Sequence, residues 1–305
     1  MAWVPGGSFL MGCERFYPEE GPVRRVAVDG FFMDRAPVTN RDFARFVAAT
    51  HYCTVAERAP DPRDYPGFAS AALRAGSIVF TPPDGSSARQ APTSWWRYVP
   101  GACWHRPDGV AALPEDRLDH PVVHVAFADA VAYAGWVGKV LPSEAEWEFA
   151  ARGGLEGADY AWGDAFLPGG LRHANTWPGP FPLRGEEGPH RYGTSPVGSF
   201  PANPYGLVDL IGNVWEWTSD FWAPRHAANA AGCCAGPAAS NPRVTDPSRS
   251  FDRAQPAIRL ARRVLKGGSH LCAPNYCRRY RPAARHPEME DSAASHIGFR
   301  CSVRP

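Results

Sequence analysis

Three stretches of the chain carry helical periodicity. Residues 39–50 open at Thr39 with Asp42 three positions on, and Phe43, Phe46 and Val47 share a face. Residues 127–137 space Ala130, Val131, Ala134 and Val137 as a helix does. The third stretch begins at Ser143, where Glu146 completes a capping box. It turns Trp147 and Ala150 or Ala151 inward and stops at Gly153-Gly154. Elsewhere the apolar residues come in short runs broken by 30 Gly and 32 Pro, which predicts short strands, many turns and anchored loops. The expected fold class is α+β, a single domain over 1–305 with little regular secondary structure. Residues 223–263, rich in Ala, Pro, Ser and Arg, are expected to be a surface insertion.

Composition narrows the function classes. A chain of 305 residues that is 44% hydrophobic can bury an adequate core. A net charge of +1 gives neither a basic nucleic-acid surface nor an acidic tail. Lys139 and Lys266 are the only lysines, an arginine bias that reads as coding preference. The first ten residues lack the basic and apolar regions of a signal peptide, and no apolar stretch approaches a membrane span. A cytoplasmic monomer, with no nucleic-acid or membrane partner, is expected.

Eight cysteines, at 13, 53, 103, 233, 234, 272, 277 and 301, are too few for a disulfide-stapled scaffold of this length. Cys233-Cys234 are adjacent, and a bond between them would strain the ring; their role stays open. Cys272 and Cys277 lie in Lys266-Gly-Gly-Ser-His-Leu-Cys-Ala-Pro-Asn-Tyr-Cys-Arg-Arg-Tyr-Arg. Five positions apart, two thiols diverge on a straight strand and on a straight helix. Pro274-Asn275 is a turn signal that lets both sulfurs reach one point, where they would suit a soft metal such as Cu(I). A structural disulfide or two unrelated buried thiols are the plainer readings of this spacing, since C-x4-C is far less diagnostic than paired CxxC motifs.

This segment, continued through Ala284-Arg285 and closed by Ile297-Gly-Phe-Arg-Cys301, resembles the active-site signature of formylglycine-generating enzymes, the sulfatase-modifying factors. The likeness extends to Pro5-Gly-Gly-Ser-Phe, Val38-Thr-Asn, His120 through Val125, Leu141 through Gly154, Tyr160 through Asp164, Ala174-Asn-Thr-Trp and Gly212-Asn-Val-Trp-Glu-Trp, and so spans the chain. It implies a C-type-lectin-related fold and an oxidoreductase acting on a sulfur group with oxygen as acceptor. In such an enzyme Cys272 and Cys277 bind Cu(I), and a cysteine within Cys-x-Pro-x-Arg of an unfolded sulfatase becomes Cα-formylglycine with O2. The alternative is a peptide- or glycan-binding member that has kept the fold and lost the chemistry.

The resemblance assigns further residues. Ser269 stands beside the cysteines, either orienting oxygen or water or forming a turn. Trp95, Trp96, Trp104 and Trp215 are candidate walls of the peptide groove, with Tyr276 as a pocket residue or a core one. Arg285 could hold peptide carbonyls or structural carboxylates, and Arg300 a structural role. His296 replaces the family's usual Asn and is expected to titrate near neutral pH in the substrate pocket. Asp209, the Gly212 and Val214 carbonyls and Glu216 match a family calcium site. Asn175 and the Thr176 carbonyl match part of a second, whose later acid falls on Pro189, with Glu186 and Glu187 nearest. Cys301 lacks the helix cysteine that partners it in animal lumenal members.

Overall fold

The structure, a computed structural model, describes residues 1–83, 95–183, 192–227 and 238–305. All three expected helices form, each for the reason the sequence suggests. In α1 (Asn40–Thr50) the Thr39 hydroxyl accepts the Asp42 N–H, and Phe43 and Phe46 are buried. In α2 (Phe127–Trp136) Asp129 accepts from the Ala126 N–H at 2.8 Å and reaches Val55 N and Tyr52 OH as well. Val131, expected inward, is exposed; Ala130, Tyr133 and Ala134 make the buried face. In α3 (Glu144–Arg152) the capping box between Ser143 and Glu146 is complete, and Gly153 ends the helix in a left-handed conformation.

Among the described residues, twelve short strands make four small sheets. β1 (Ala2–Val4), β4 (Phe31–Met33) and β12 (Ser302–Val303) form one. β2 (Gly7–Met11), β3 (Arg24–Val28) and β8 (Ala239–Ser240) form the second, and β5 (Gly76–Phe80) with β6 (Trp96–Pro100) the third. The fourth, in the order β10-β9-β7-β11, carries the site: β7 is Trp215–Phe221, β9 Arg262–Lys266, β10 Arg285–Met289 and β11 Ile297–Gly298. β8 lies inside the expected insertion yet pairs in parallel with β3, so 223–263 is partly woven into the fold. Cys233 and Cys234 lie outside the described residues. Among the described residues no helix is long and apolar enough to cross a membrane.

Every residue of α3 is buried, including the three carboxylates Glu144, Glu146 and Glu148 and the guanidinium of Arg152. Such a helix survives only if its charges are paired. Lys266 Nζ lies 3.0 Å from Glu148 Oε2, Arg152 Nη2 lies 2.7 Å from Glu148 Oε1, and Arg285 grips both oxygens of Glu144 at 2.7 and 2.9 Å. These pairs hold Glu148 down to a pKa of about 2 and Glu144 well below the carboxylate range, against a burial that pushes both up. The network clamps β9 and β10 against α3 and so fixes both ends of the loop between them.

Candidate active site

Lys266 ends β9, and Gly267 and Gly268 then turn the chain with φ of 90° and 72°. A Cβ on Gly267 would stand 2.4 Å from the Leu210 carbonyl oxygen, and one on Gly268 2.6 Å from that of Arg279. Only glycine admits this turn. Beyond it the Cys272 N–H donates to the Ser269 carbonyl at 3.0 Å, and the Tyr276 and Cys277 N–H groups both donate to the Ala273 carbonyl at 3.0 Å. The bend at Pro274-Asn275 is braced by Asn275, whose side chain exchanges hydrogen bonds with the Phe181 backbone at 2.8 and 3.1 Å. Its result is a Cys272–Cys277 Sγ–Sγ distance of 2.9 Å.

The two thiols are free and unequal. Cys272 is 1% exposed, and burial raises its pKa well above the thiol range. Cys277 is partly exposed, and its pKa is lowered, first by its hydrogen bond with Cys272 and further by Arg279. Cys277 is therefore the first of the pair to ionise. The Ser269 N–H approaches Cys272 Sγ at 3.5 Å, and the Ser269 hydroxyl accepts from Leu271 N at 3.3 Å.

Both sulfurs lie on the wall of a cavity of about 390 Å³. Among the expected residues, Ser269, Trp96, Trp215, Tyr276 and His296 line it too. Tyr276 stacks on Phe181 with ring centroids 4.1 Å apart, and the His296 ring lies 4.7 Å from that of Trp96. His296 Nδ1 has no hydrogen-bond partner among the described residues. Its pKa is lowered well below the histidine value by burial and by the neighbouring His270, His286 and His124. The expected titration near neutral pH is therefore corrected: the ring stays neutral across that range.

Other expected residues stand elsewhere. Trp104 is not in the groove; it packs edge-on against Phe43, with centroids 5.3 Å apart, in the core around α1 and α2. Trp95 is buried with Trp177, Phe181 and Tyr192 and backs Tyr276 edge-on at 6.1 Å, supporting the wall without lining it. Arg285 serves structural carboxylates: it is 1% exposed, bound to Glu144 and stacked 4.3 Å over Trp222. Arg300 likewise donates to Glu216 at 2.7 and 2.8 Å. The sequence offered no reason to separate these tryptophans, since a bulky aromatic suits a core and a groove equally.

The calcium expectations meet a different arrangement. Both oxygens of Glu216 are taken by Arg300, and Oε2 also receives the Trp147 indole N–H at 2.7 Å. Asp209 accepts the Gly198 N–H at 2.6 Å, and burial raises its pKa. The Thr176 carbonyl accepts from the Arg172 guanidinium, and the Asn175 amide donates to Gly193 O and Asn213 Oδ1. Guanidinium groups thus hold Glu216 and the Thr176 carbonyl, two of the donors matched to calcium. Pro189, Glu186 and Glu187 lie outside the described residues.

Arg279, His286 and Glu288 also line the cavity. His286 and Glu288 point the same way because they sit two apart on β10, a signal that Pro287 between them concealed in the sequence. Burial lowers His286 to a pKa of about 4 and raises that of Glu288.

Comparison with known proteins agrees with this geometry. The sulfatase-modifying factor enzyme 1-like domain matches residues 1–305. A protein of Mycobacterium tuberculosis named formylglycine-generating enzyme is 52% identical over 304 residues, covering 99% of this chain and 97% of its own. Another of that name from Thermomonospora curvata is 46% identical over 312 residues, covering 100% of this chain and 93% of its own. Among solved structures, PvdO from Pseudomonas aeruginosa superposes with a TM-score of 0.60 at 24% identity, over 99% of this chain and 93% of that one, a likeness of fold.

Proposed function

The chain belongs to the sulfatase-modifying factor enzyme 1-like family, and on that premise we propose that it converts a cysteine in a Cys-x-Pro-x-Arg segment of an unfolded sulfatase into Cα-formylglycine. The observation that carries this reading is the pair of free thiols, 2.9 Å apart, on the wall of an aromatic-lined cavity.

Two converging soft sulfur donors fit Cu(I), with Cys272 and Cys277 as its holders. When bound, Cu(I) would supply the one-electron chemistry toward O2 that amino-acid side chains lack. The substrate CH2–SH unit gives up two protons and two electrons, water then replaces the sulfur, and the sulfur leaves as hydrogen sulfide. O2 is the electron acceptor, and two further electrons from an added thiol reductant complete its reduction to water.

The chain's own residues bind and orient. Cys277 is the first to ionise, and holding Cu(I) between both sulfurs would require Cys272 to give up its proton as well. Trp96 and Trp215 give an extended peptide rigid apolar walls, as proline-containing segments require. Neutral His296 lines the cavity with Nδ1 unpaired among the described residues, and the Ser269 hydroxyl would orient water or oxygen beside Cys272. The test is incubation of the protein with a Cys-x-Pro-x-Arg peptide, Cu(I), a thiol reductant and air. Mass spectrometry then looks for the exchange of thiol for aldehyde. An unchanged peptide with copper-loaded protein would refute the reading.

A further inference from the structure

A second cavity, of about 750 Å³, carries an unbalanced charge on its wall. Among the described residues, five guanidinium groups line it, from Arg24, Arg225, Arg243, Arg249 and Arg285, against three carboxylates, from Glu144, Asp220 and Asp246. The carboxylates are already engaged. Glu144 is gripped by Arg285 at 2.7 and 2.9 Å. Asp220 accepts the Glu144 N–H at 2.8 Å and has Arg243 Nε 3.6 Å away. Asp246 turns both oxygens back onto Ser248, at 2.9 and 2.7 Å. Among the described residues, Arg24, Arg225 and Arg249 make no ion pair with a carboxylate. The sequence from Phe221 to Thr245, which supplies much of this wall, carries no Asp or Glu that could serve them.

Arg24 stands out among them. Alternation along β3 sends Arg25 to Glu156, 3.3 Å away, and Arg24 to the other face, where it lines the cavity half-buried. Its Nη1 donates to the Ala227 carbonyl at 3.3 Å, and its Nη2 reaches only the Met11 thioether at 3.8 Å, a weak acceptor. Its Nε is buried with no acceptor among the described residues. The four guanidinium groups that are fully buried each meet an acid: Arg152 meets Glu148, Arg281 meets Glu20, Arg285 meets Glu144 and Arg300 meets Glu216. Arg24 breaks that pattern. Its pKa is lowered, first by burial and then, against the pull of Glu144, by Arg285. A guanidinium keeps its proton all the same, so a charge is held partly out of water without a counter-ion.

We infer that this cavity binds a small multivalent oxyanion, a phosphate or carboxylate compound whose oxygens supply the acceptors that Arg24 lacks. The planar fork of a guanidinium matches such groups two hydrogen bonds at a time. A volume of about 750 Å³ suits a small organic anion better than a bare ion. Arg225, Arg243 and Arg249 are exposed, so their charge reaches solvent and draws an anion toward the half-buried Arg24. The site shares no lining residue with the cavity of Cys272 and Cys277, and it does not depend on the reaction proposed above. A bound anion would tie β3 to the segments at 225–227 and 243–249, beside the Glu144–Arg285 pair that clamps β10 to α3.

Calorimetric titration of the full chain tests this, with pyrophosphate in one arm and citrate in the other. Both are run in metal-free buffer at an ionic strength fixed by NaCl. Saturable one-to-one binding is expected, and the tighter arm identifies phosphate or carboxylate as the ligand chemistry. Arg24→Gln should weaken that binding about tenfold or more, the loss of hydrogen bonds to a charged group. Arg249→Gln, which removes an exposed cation, should weaken it by less and steepen no other property of the protein. Absence of saturable heat with both anions, or equal affinity in the parent and Arg24→Gln, overturns the assignment. If Arg24→Gln does not fold, the double variant Arg225→Gln with Arg249→Gln decides it, because both side chains are exposed. Unweakened binding in that protein refutes the site.

Discussion

Cys272 and Cys277 lie 2.9 Å apart on the wall of one cavity, yet Cys272 is almost wholly buried and Cys277 is partly exposed. The asymmetry follows from the bend at Pro274-Asn275, which folds the second thiol back over the first. In the metal-free protein a small alkylating reagent should therefore modify Cys277 well before Cys272. Peptide mapping by mass spectrometry at limiting reagent checks this. Equal labelling of the two would mean that they are not so arranged.

Substitution of the pair separates chemistry from packing. Cys272→Ser and Cys277→Ser should each abolish aldehyde formation, and Cys277→Ser should change stability by less than about 1 kcal/mol because the side chain is partly exposed. Ser269→Ala should slow turnover without eliminating it, since Ser269 lines the cavity beside Cys272 and its hydroxyl accepts the Leu271 N–H. Full turnover by Cys277→Ser would exclude a two-sulfur site.

Much of this arrangement was legible in the sequence, and the exceptions share a cause. Helix starts announce themselves because a cap is a local event: Thr39 and Ser143 bond within three residues. The meeting of the two thiols was legible for the same reason, as one turn within six residues. Long-range choices were not. Whether Trp96 or Trp104 faces the cavity depends on which sheet or helix each meets. Arg285 and Arg300 read as ligand-binding or structural cations until Glu144 and Glu216, 141 and 84 residues away, come to meet them.

The buried network under β9 should dominate stability. Lys266→Met leaves Glu148 with Arg152 and the Gly12 N–H, and should cost about 3 kcal/mol, at the lower end for a broken buried pair. Adding Glu148→Gln should recover part of the loss, because the uncompensated charge is then gone. Urea denaturation of the single and double variants measures both. Equal stability of Lys266→Met and the parent would show that the pair contributes nothing.

Buried histidines set the acid limit. His124, His270 and His286 are held neutral by burial, each with a pKa of about 4. Unfolded, each takes a proton near 6.5, so between about pH 6.5 and 4 the unfolded state binds more protons and stability rises with pH. The stabilisation is full above 6.5 and is lost as pH falls through that window. Each histidine adds a slope of up to ~1.4 kcal/mol per pH unit. Urea midpoints should fall between pH 7 and 5, before the depressed carboxylates Glu144 and Glu148 begin to protonate. A flat profile over that range would contradict the burial of these rings.

His296 should act by shape and acceptance, without titrating. Its ring faces Trp96 at 4.7 Å, its Nδ1 is unpaired among the described residues, and burial together with three neighbouring histidines keeps it neutral. A substrate N–H entering the cavity could satisfy that nitrogen, and removing the acceptor would leave the donor desolvated and unpaired. His296→Ala should therefore raise KM more than it lowers kcat, with a loss of about 1–3 kcal/mol in kcat/KM. His296→Asn keeps a short polar group at the same place and should restore most of the affinity. Because the parent ring carries no charge near neutrality, the pH profiles of kcat/KM for the parent and His296→Asn should coincide between pH 6 and 8. A parent profile that bends near pH 6–7 and flattens in His296→Asn would mean that the ring takes up a proton in the cavity after all.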